Sequence, residues 1–280
     1  QSGEILGGYE IKTVFFGGGT PSILKADWLV GILESLRTEA AFSEETEITV
    51  EANPGTVDKE KLLCYREAGI NRLSFGLQSA DNNELYSLGR IHTWEQFLES
   101  YECARKAGFQ NMNVDLMSAL PGQTAAGWRK TLEKVLVLQP EHLSAYSLII
   151  EEGTPFYEKY GGHPNLLPSE EEERQMYHDT KEILKEQGYV CRHNLGYWNR
   201  TDYKGFGLGA ASLLNNVRTA NQTKFWEYLK GNREGSAERL SKQAIREEHF
   251  FLGLRKTEGV APGEYREHYQ ELITRLKEQG

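Results

Sequence analysis

Short apolar runs alternate with segments of helical period over the first 150 or so residues of the chain. The run at 11–16 is β-prone and stops abruptly at Gly17-Gly18-Gly19-Thr20-Pro21, as a strand entering a loop does. Across 26–39, Trp28, Leu29, Ile32, Leu33 and Leu36 recur at the spacing that places them on one helical face. A short strand at 48–50 closes on Glu51-Ala52-Asn53-Pro54-Gly55, and the unit then repeats. Asp58 is placed to cap a helix carrying Leu62, Leu63 and Tyr65, Gly69 stops that helix, and 72–77 reads as the next strand. A helix over 94–107 ends at Gly108, before a strand at 112–116. Thr124 caps a helix reaching Leu138, Pro140 breaks it, and 143–150 is the longest strand signal in the chain.

Five short apolar strands separated by helices predict consecutive βα units around a parallel sheet, an α/β architecture. Such sheets place their sites beyond the carboxyl ends of the strands. Gly17, Gly18, Gly19 and Thr20, then Glu51 and Asn53, then Gln78, Asp115 and Glu151, all fall at or just past predicted strand ends. Beyond Glu151 the texture changes. Ser169 and four glutamates open a helix to about Gln187, a stretch at 192–198 and a glycine-rich stretch at 205–212 follow, and helical segments resume near Lys242 and Pro262. The expected organisation is a partial parallel barrel over 1–160 and a smaller helical C-terminal extension over 161–280.

With 280 residues and 39% hydrophobic content, the chain can bury a substantial core. A net charge of -9 and a pI near 5.4 argue against a polyanion-binding surface, so nucleic acid is not an expected partner. No run of 18 apolar residues and no signal-peptide pattern is present, so no transmembrane segment is expected and the cytoplasm is the expected address. Cys64, Cys103 and Cys191 are too scattered for a metal or redox motif and read as free thiols.

Candidate chemistry sits at the strand ends. Three successive glycines remove every Cβ, so a ligand can approach the backbone, although a plain flexible turn has the same composition. Glu51 and Asn53 can hydrogen-bond vicinal hydroxyls, or else cap the next helix. Gln78 offers an amide in the same layer, and Arg90 can pair with a carboxylate in two-point fashion. Asp115 lies between apolar neighbours, where a carboxylate needs a partner from ligand or protein.

Taken in order, Gly17-Gly18-Gly19-Thr20-Pro21, Glu51-Ala52-Asn53-Pro54, the stretch 73–79, Leu88-Gly89-Arg90 and the run DLMSALPGQT at 115–124 resemble a known family. It is the radical S-adenosylmethionine (SAM) family related to oxygen-independent coproporphyrinogen III oxidase. The likeness continues through Glu152-Gly153-Thr154-Pro155, His193-Asn194-Leu195-Gly196-Tyr197-Trp198 and Leu252-Gly253-Leu254-Arg255. The resemblance implies a partial (β/α) barrel that binds SAM, with a 4Fe-4S cluster donating an electron to release a 5′-deoxyadenosyl radical. It sets the glycine motif against the methionine moiety, and Glu51, Gln78, Arg90 and Asp115 against the ribose, amino-acid and adenine parts.

The family's cluster is held by a CxxxCxxC motif on its first strand, which this sequence does not contain. Cys64, Cys103 and Cys191 are separated by 39 and 88 residues and cannot replace it. The expectation is that the cluster-bearing strand is missing from this chain. Two further departures are a shortened segment around Gln187-Gly188-Tyr189 and an abrupt end at Gly280. HNLGYW at 193–198 resembles the HNxxYW motif of the family's heme chaperone branch. That likeness implies heme contact at His193, with heme and client hemoproteins as partners; a histidine hydrogen-bonded within a domain junction is the plainer reading. The alternative activity is oxidative decarboxylation of the porphyrinogen by the true oxidase.

Overall fold

In the computed structural model five parallel strands pair in chain order: β1 (Glu10–Phe16), β2 (Ala41–Ala52), β3 (Arg72–Gln78), β4 (Met112–Ser118) and β5 (His142–Ser147). The structure describes residues 8–184, 192–254, 256, 259–261, 263–267, 269–271 and 274–275. Helices α1 (Ala26–Glu39), α2 (Lys59–Glu67), α3 (Asn82–Ser87), α4 (Trp94–Lys106) and α5 (Ala125–Leu136) connect the strands, and the sheet curls into a half-barrel. In three of the four crossovers a polar side chain closes the first turn of the helix, whereas Lys25 ahead of α1 makes no such bond. Asp58 accepts from the Lys61 amide at 2.8 Å, Thr93 and Gln96 form a capping box, and Thr124 accepts from Gly127.

Strand alternation divides the sheet's two faces. Ile48, Val50, Leu73, Phe75, Leu77, Val114 and Leu116 are fully buried, and they join Leu33, Leu62, Phe97 and Trp128 of the helices in one apolar core. The intervening positions point the other way and are polar: Glu47, Thr49 and Glu51 on β2, Arg72 and Ser74 on β3, Asn113 and Asp115 on β4. A sheet whose outer face is covered by helices therefore keeps a polar inner face, and that face is where chemistry can sit. Past β5, α6 (Pro155–Tyr160) and α7 (Glu170–Leu184) follow, and Trp128 Nε1 donates to Thr180 Oγ1 at 2.8 Å and to the Met176 carbonyl at 3.2 Å on α7.

Several expectations are corrected. β2 runs for 12 residues, not three, because Ala41 and Phe42 already pair with Glu10 and Ile11 through backbone groups that no apolar period reports. β5 stops at Ser147, with the Leu148 amide still donating to the Ser118 carbonyl at 2.9 Å, and Ile149 beyond it is 77% exposed, so the apolar run outlasts the strand. On α1 only Leu29 and Leu33 of the expected face are buried, while Trp28 and Ile32 are 60% and 51% exposed, because the sheet meets a narrow stripe of the helix. The shortened segment near Gln187-Gly188-Tyr189 lies outside the described residues, as does Cys191.

The chain divides into two units, 1–190 and 191–280. The second contains α8 (Arg192–Trp198), β6 (Ala211–Leu214), β7 (Val217–Asn221), α9 (Phe225–Leu229), β8 (Glu234–Arg239) and α10 (Lys242–Gly253). It has the expected helix from Lys242, but also an antiparallel sheet of order β6-β7-β8 that the sequence reading did not foresee. The signal was Asn215-Asn216, a two-residue hairpin with positive φ at both positions (49° and 59°), which asparagine tolerates best among residues with a Cβ. Glu248 on α10 receives Arg200 Nε at 3.0 Å and Arg218 at 2.8 Å, tying β7 and the turn after α8 to one carboxylate.

Candidate functional site

The carboxyl ends of β1 to β5 surround a cavity of about 240 Å³. Parallel pairing builds it: Phe16 lies opposite Val50, so the glycines that follow β1 come beside Glu51. Gly17 has no room for a Cβ, which would sit 2.7 Å from the Phe15 ring and 3.2 Å from the Glu51 carboxyl carbon. The next residue turns with φ 84°, and its amide donates to Glu51 Oε2 at 3.1 Å. Thr20 Oγ1 accepts from Asn53 Nδ2 at 2.9 Å, which fixes the Asn53 amide.

Across the cavity Asp115 is the most enclosed carboxylate. Asn113 Nδ2 donates to one of its oxygens at 2.7 Å and Ser74 Oγ to the other at 3.2 Å. Asn113 is itself oriented, since its Oδ1 takes hydrogen bonds from His142 Nδ1 and Ser144 Oγ. Burial pushes the His142 ring down to about 4, with the Arg72 charge adding to the effect, so the ring is neutral near pH 7 and donates from Nδ1.

Burial raises the Asp115 pKa above its ordinary 3.8 despite those hydrogen bonds and the Arg72 charge. Glu51 is raised chiefly by burial as well, with the Gly18 amide opposing and the Asp115 charge adding to the rise. Among the described residues no ion pair joins Glu51, Asp115 or Arg90 to a partner. The cavity thus holds two carboxylates and one guanidinium that no ion pair among the described residues neutralises, with the Arg72 charge acting on Asp115 from beyond ion-pair distance.

A raised carboxyl pKa means that protonation favours the folded state, so this contribution to stability is complete below about pH 3.8 and is lost as pH climbs through the raised value. The Asp115→Asn variant lacks this loss. Its thermal midpoint is expected to gain on that of the wild type as the pH is raised from about 4 to about 7. Unfolding scans at several pH values check the sign, and a variant that loses ground to the wild type as the pH rises contradicts it.

Of the residues singled out in the sequence, Gly19, Thr20, Glu51 and Asn53 line this cavity together with Gln78, Arg90 and Asp115. Gly17 and Gly18 form the turn behind Glu51. His193 lies in α8 of the second unit, and its side chain is outside the described residues. Glu151 does not line the cavity: it sits exposed four residues past the end of β5, where its carbonyl accepts from Thr154 Oγ1. Ser74, Gly76 and Tyr146 also line it and were missed. The signal was present as strand alternation, since Ser74 and Gly76 are two and four residues from Arg72, and Tyr146 is two from Ser144. Cys64 and Cys103 lie on α2 and α4, and no group of three potential metal ligands occurs among the described residues.

The Radical SAM superfamily profile matches residues 4–135. The heme chaperone HemW of Lactococcus lactis is 37% identical over 267 residues, covering 90% of this chain and 70% of that protein. HemW of Bacillus subtilis is 36% identical, covering 93% and 74%. The chain belongs to the radical SAM superfamily, among its HemW proteins. The superfamily implies SAM and a 4Fe-4S cluster as cofactors. The half-barrel is also that of the coproporphyrinogen III oxidase HemN of Escherichia coli, with a TM-score of 0.73 at 21% identity over 88% of this chain and 64% of that one. The likeness is one of fold, and the chain spans somewhat under two thirds of that enzyme. No helix among the described residues of this HemW relative is long and apolar enough to cross a membrane.

Proposed function

We propose that this chain forms the SAM-binding barrel and the second unit of a cytoplasmic heme chaperone, which holds heme and passes it to client hemoproteins. The observation that carries the cofactor assignment is the charge pattern of the cavity. SAM brings a sulfonium, an ammonium and a carboxylate, while Glu51, Asp115 and Arg90 offer two negative groups and one positive group that no ion pair among the described residues engages. Each of these charges has a counterpart of opposite sign in the ligand. The open backbone at Gly18 and Gly19 suits the amino-acid end, and Arg90 suits its carboxylate. The amides of Asn53 and Gln78 suit the ribose hydroxyls.

Together with a cluster, bound SAM supplies one-electron chemistry. The described residues provide no thiolate set for that cluster. The part of this chain is to bind SAM, orient it and screen it from water.

Heme handling is supported by the names of the relatives and by the HNLGYW segment, which forms α8 with His193 in its first turn. An imidazole can ligate heme iron, and neighbouring aromatic side chains can pack on a porphyrin face. Free thiols at Cys64 and Cys103 support the cytoplasmic address. A second reading, decarboxylation of coproporphyrinogen III, draws only on the shared fold.

Titrating the chain with heme, as wild type and as His193→Ala, tests the proposal. Saturable binding with a Soret shift is expected for the wild type, with affinity about tenfold or more weaker in the variant. Turnover of coproporphyrinogen III with SAM and a reductant, in a protein that does not bind heme, would favour the oxidase.

A further inference from the structure

Gly76 reveals a second level of organisation in the cavity wall. A Cβ at this position would lie 2.7 Å from Asn53 Oδ1 and 3.4 Å from Gln78 Nε2, so two amides converge over a bare Cα. Both are locked from behind by a hydroxyl. Asn53 donates Nδ2 to Thr20, which leaves Oδ1 as an acceptor, and Tyr146 donates its hydroxyl to Gln78 Oε1 at 2.8 Å, which leaves Nε2 as a donor. Gln78 Nε2 makes no hydrogen bond to another described residue and is not among the enclosed polar atoms, so it faces the cavity.

The backbone at Gln78 also points to a dedicated role. Its φ of 75° is left-handed, a conformation unfavourable for a residue with a side chain. It falls where the β3–β4 register shifts, between Phe75 and Gln78. His92 Nε2 hydrogen-bonds the Leu77 carbonyl beside it, and Ser79 Oγ donates to Glu84 on its other side. The strained turn aims the Gln78 side chain, and Tyr146 determines which end of its amide the ligand meets.

We propose that Tyr146 is a positioning residue of the cofactor site: its hydroxyl holds the Gln78 amide with Nε2 as a fixed donor, so that this wall accepts a hydroxyl oxygen of the ligand. The inference rests on the reading of the cavity as a SAM site. Without the tyrosine hydroxyl the amide is free to turn its oxygen inward, and the donor beside the Asn53 acceptor is lost. Tyr146 is 44% exposed and outside the apolar core, so Tyr146→Phe leaves the fold intact.

A double-mutant cycle separates positioning from direct contact. SAM binding to the whole chain is measured by calorimetry for the wild type, Tyr146→Phe, Gln78→Ala and the double variant, with thermal midpoints as a check on folding. Tyr146→Phe is expected to weaken binding about five- to tenfold at an unchanged midpoint, and to add nothing once Gln78 is alanine. An equal loss in both backgrounds means that Tyr146 acts independently of Gln78 and overturns the inference, as does a Tyr146→Phe variant with wild-type affinity. A wild-type chain with no affinity for SAM overturns the reading of the cavity itself.

Discussion

Replacing Asp115 by asparagine is expected to weaken SAM binding about 100-fold while leaving the fold at least as stable at neutral pH. The side chain is the most enclosed carboxylate of the cavity, held by Asn113 and Ser74 and matched by no ion pair. Its desolvation is sustained by the fold and is compensated only when a cation or a donor of the ligand arrives. Asparagine keeps the shape and can still accept from Asn113, but it removes the charge. A hydrogen bond to a charged group contributes about 1.5–3 kcal/mol, and the upper end of that range corresponds to the 100-fold loss. The same change relieves a buried charge, so stability moves in the opposite direction from affinity. Calorimetric titration with SAM beside thermal unfolding at neutral pH reads both quantities. A variant that is destabilised and still binds normally would make Asp115 a structural residue.

The second large effect concerns the core. Trp128→Ala is expected to destabilise the protein by about 3–5 kcal/mol, because it removes a fully buried indole and leaves a cavity between the sheet's helices. It also strips the Met176 carbonyl and the Thr180 hydroxyl on α7 of their shared donor. Trp128→Phe restores much of the apolar volume but not the hydrogen bonds, and should fall between the two. Denaturant midpoints give the energies, and limited proteolysis within 170–184 reports whether α7 loosens ahead of the barrel. Equal stability of the alanine variant and the wild type would mean that α7 is held by other contacts.

The parallel architecture and most of the site were legible from one-dimensional signals. A strand that ends at a glycine run, a carboxylate near the end of the next strand and an amide at the end of the third are spaced by the βα repeat, and Gly19, Glu51 and Gln78 do line one cavity. Glu151 failed the same test because its strand ends earlier than its apolar residues do. Tyr146 escaped because strand alternation sets it on the same face as Ser144 but does not say which face of β5 is the inner wall until the curl of the sheet is known. The antiparallel sheet of the second unit escaped because its strands are short and half exposed, so no burial period rises above the turns between them.

In the first unit the sequence by itself determined which elements form and in which order, since helix caps, glycine stops and side-chain period are local properties of the chain. It also determined which charges would meet at the strand ends, because parallel pairing of consecutive βα units leaves little choice of neighbour. Only the tertiary structure decided how those charges are balanced. Asp115 and Glu51 are raised because burial outweighs their hydrogen bonds, and desolvation depends on everything packed around a group, not on its neighbours in the chain. The direction of the Gln78 amide was likewise a tertiary decision, taken by a tyrosine 68 residues away.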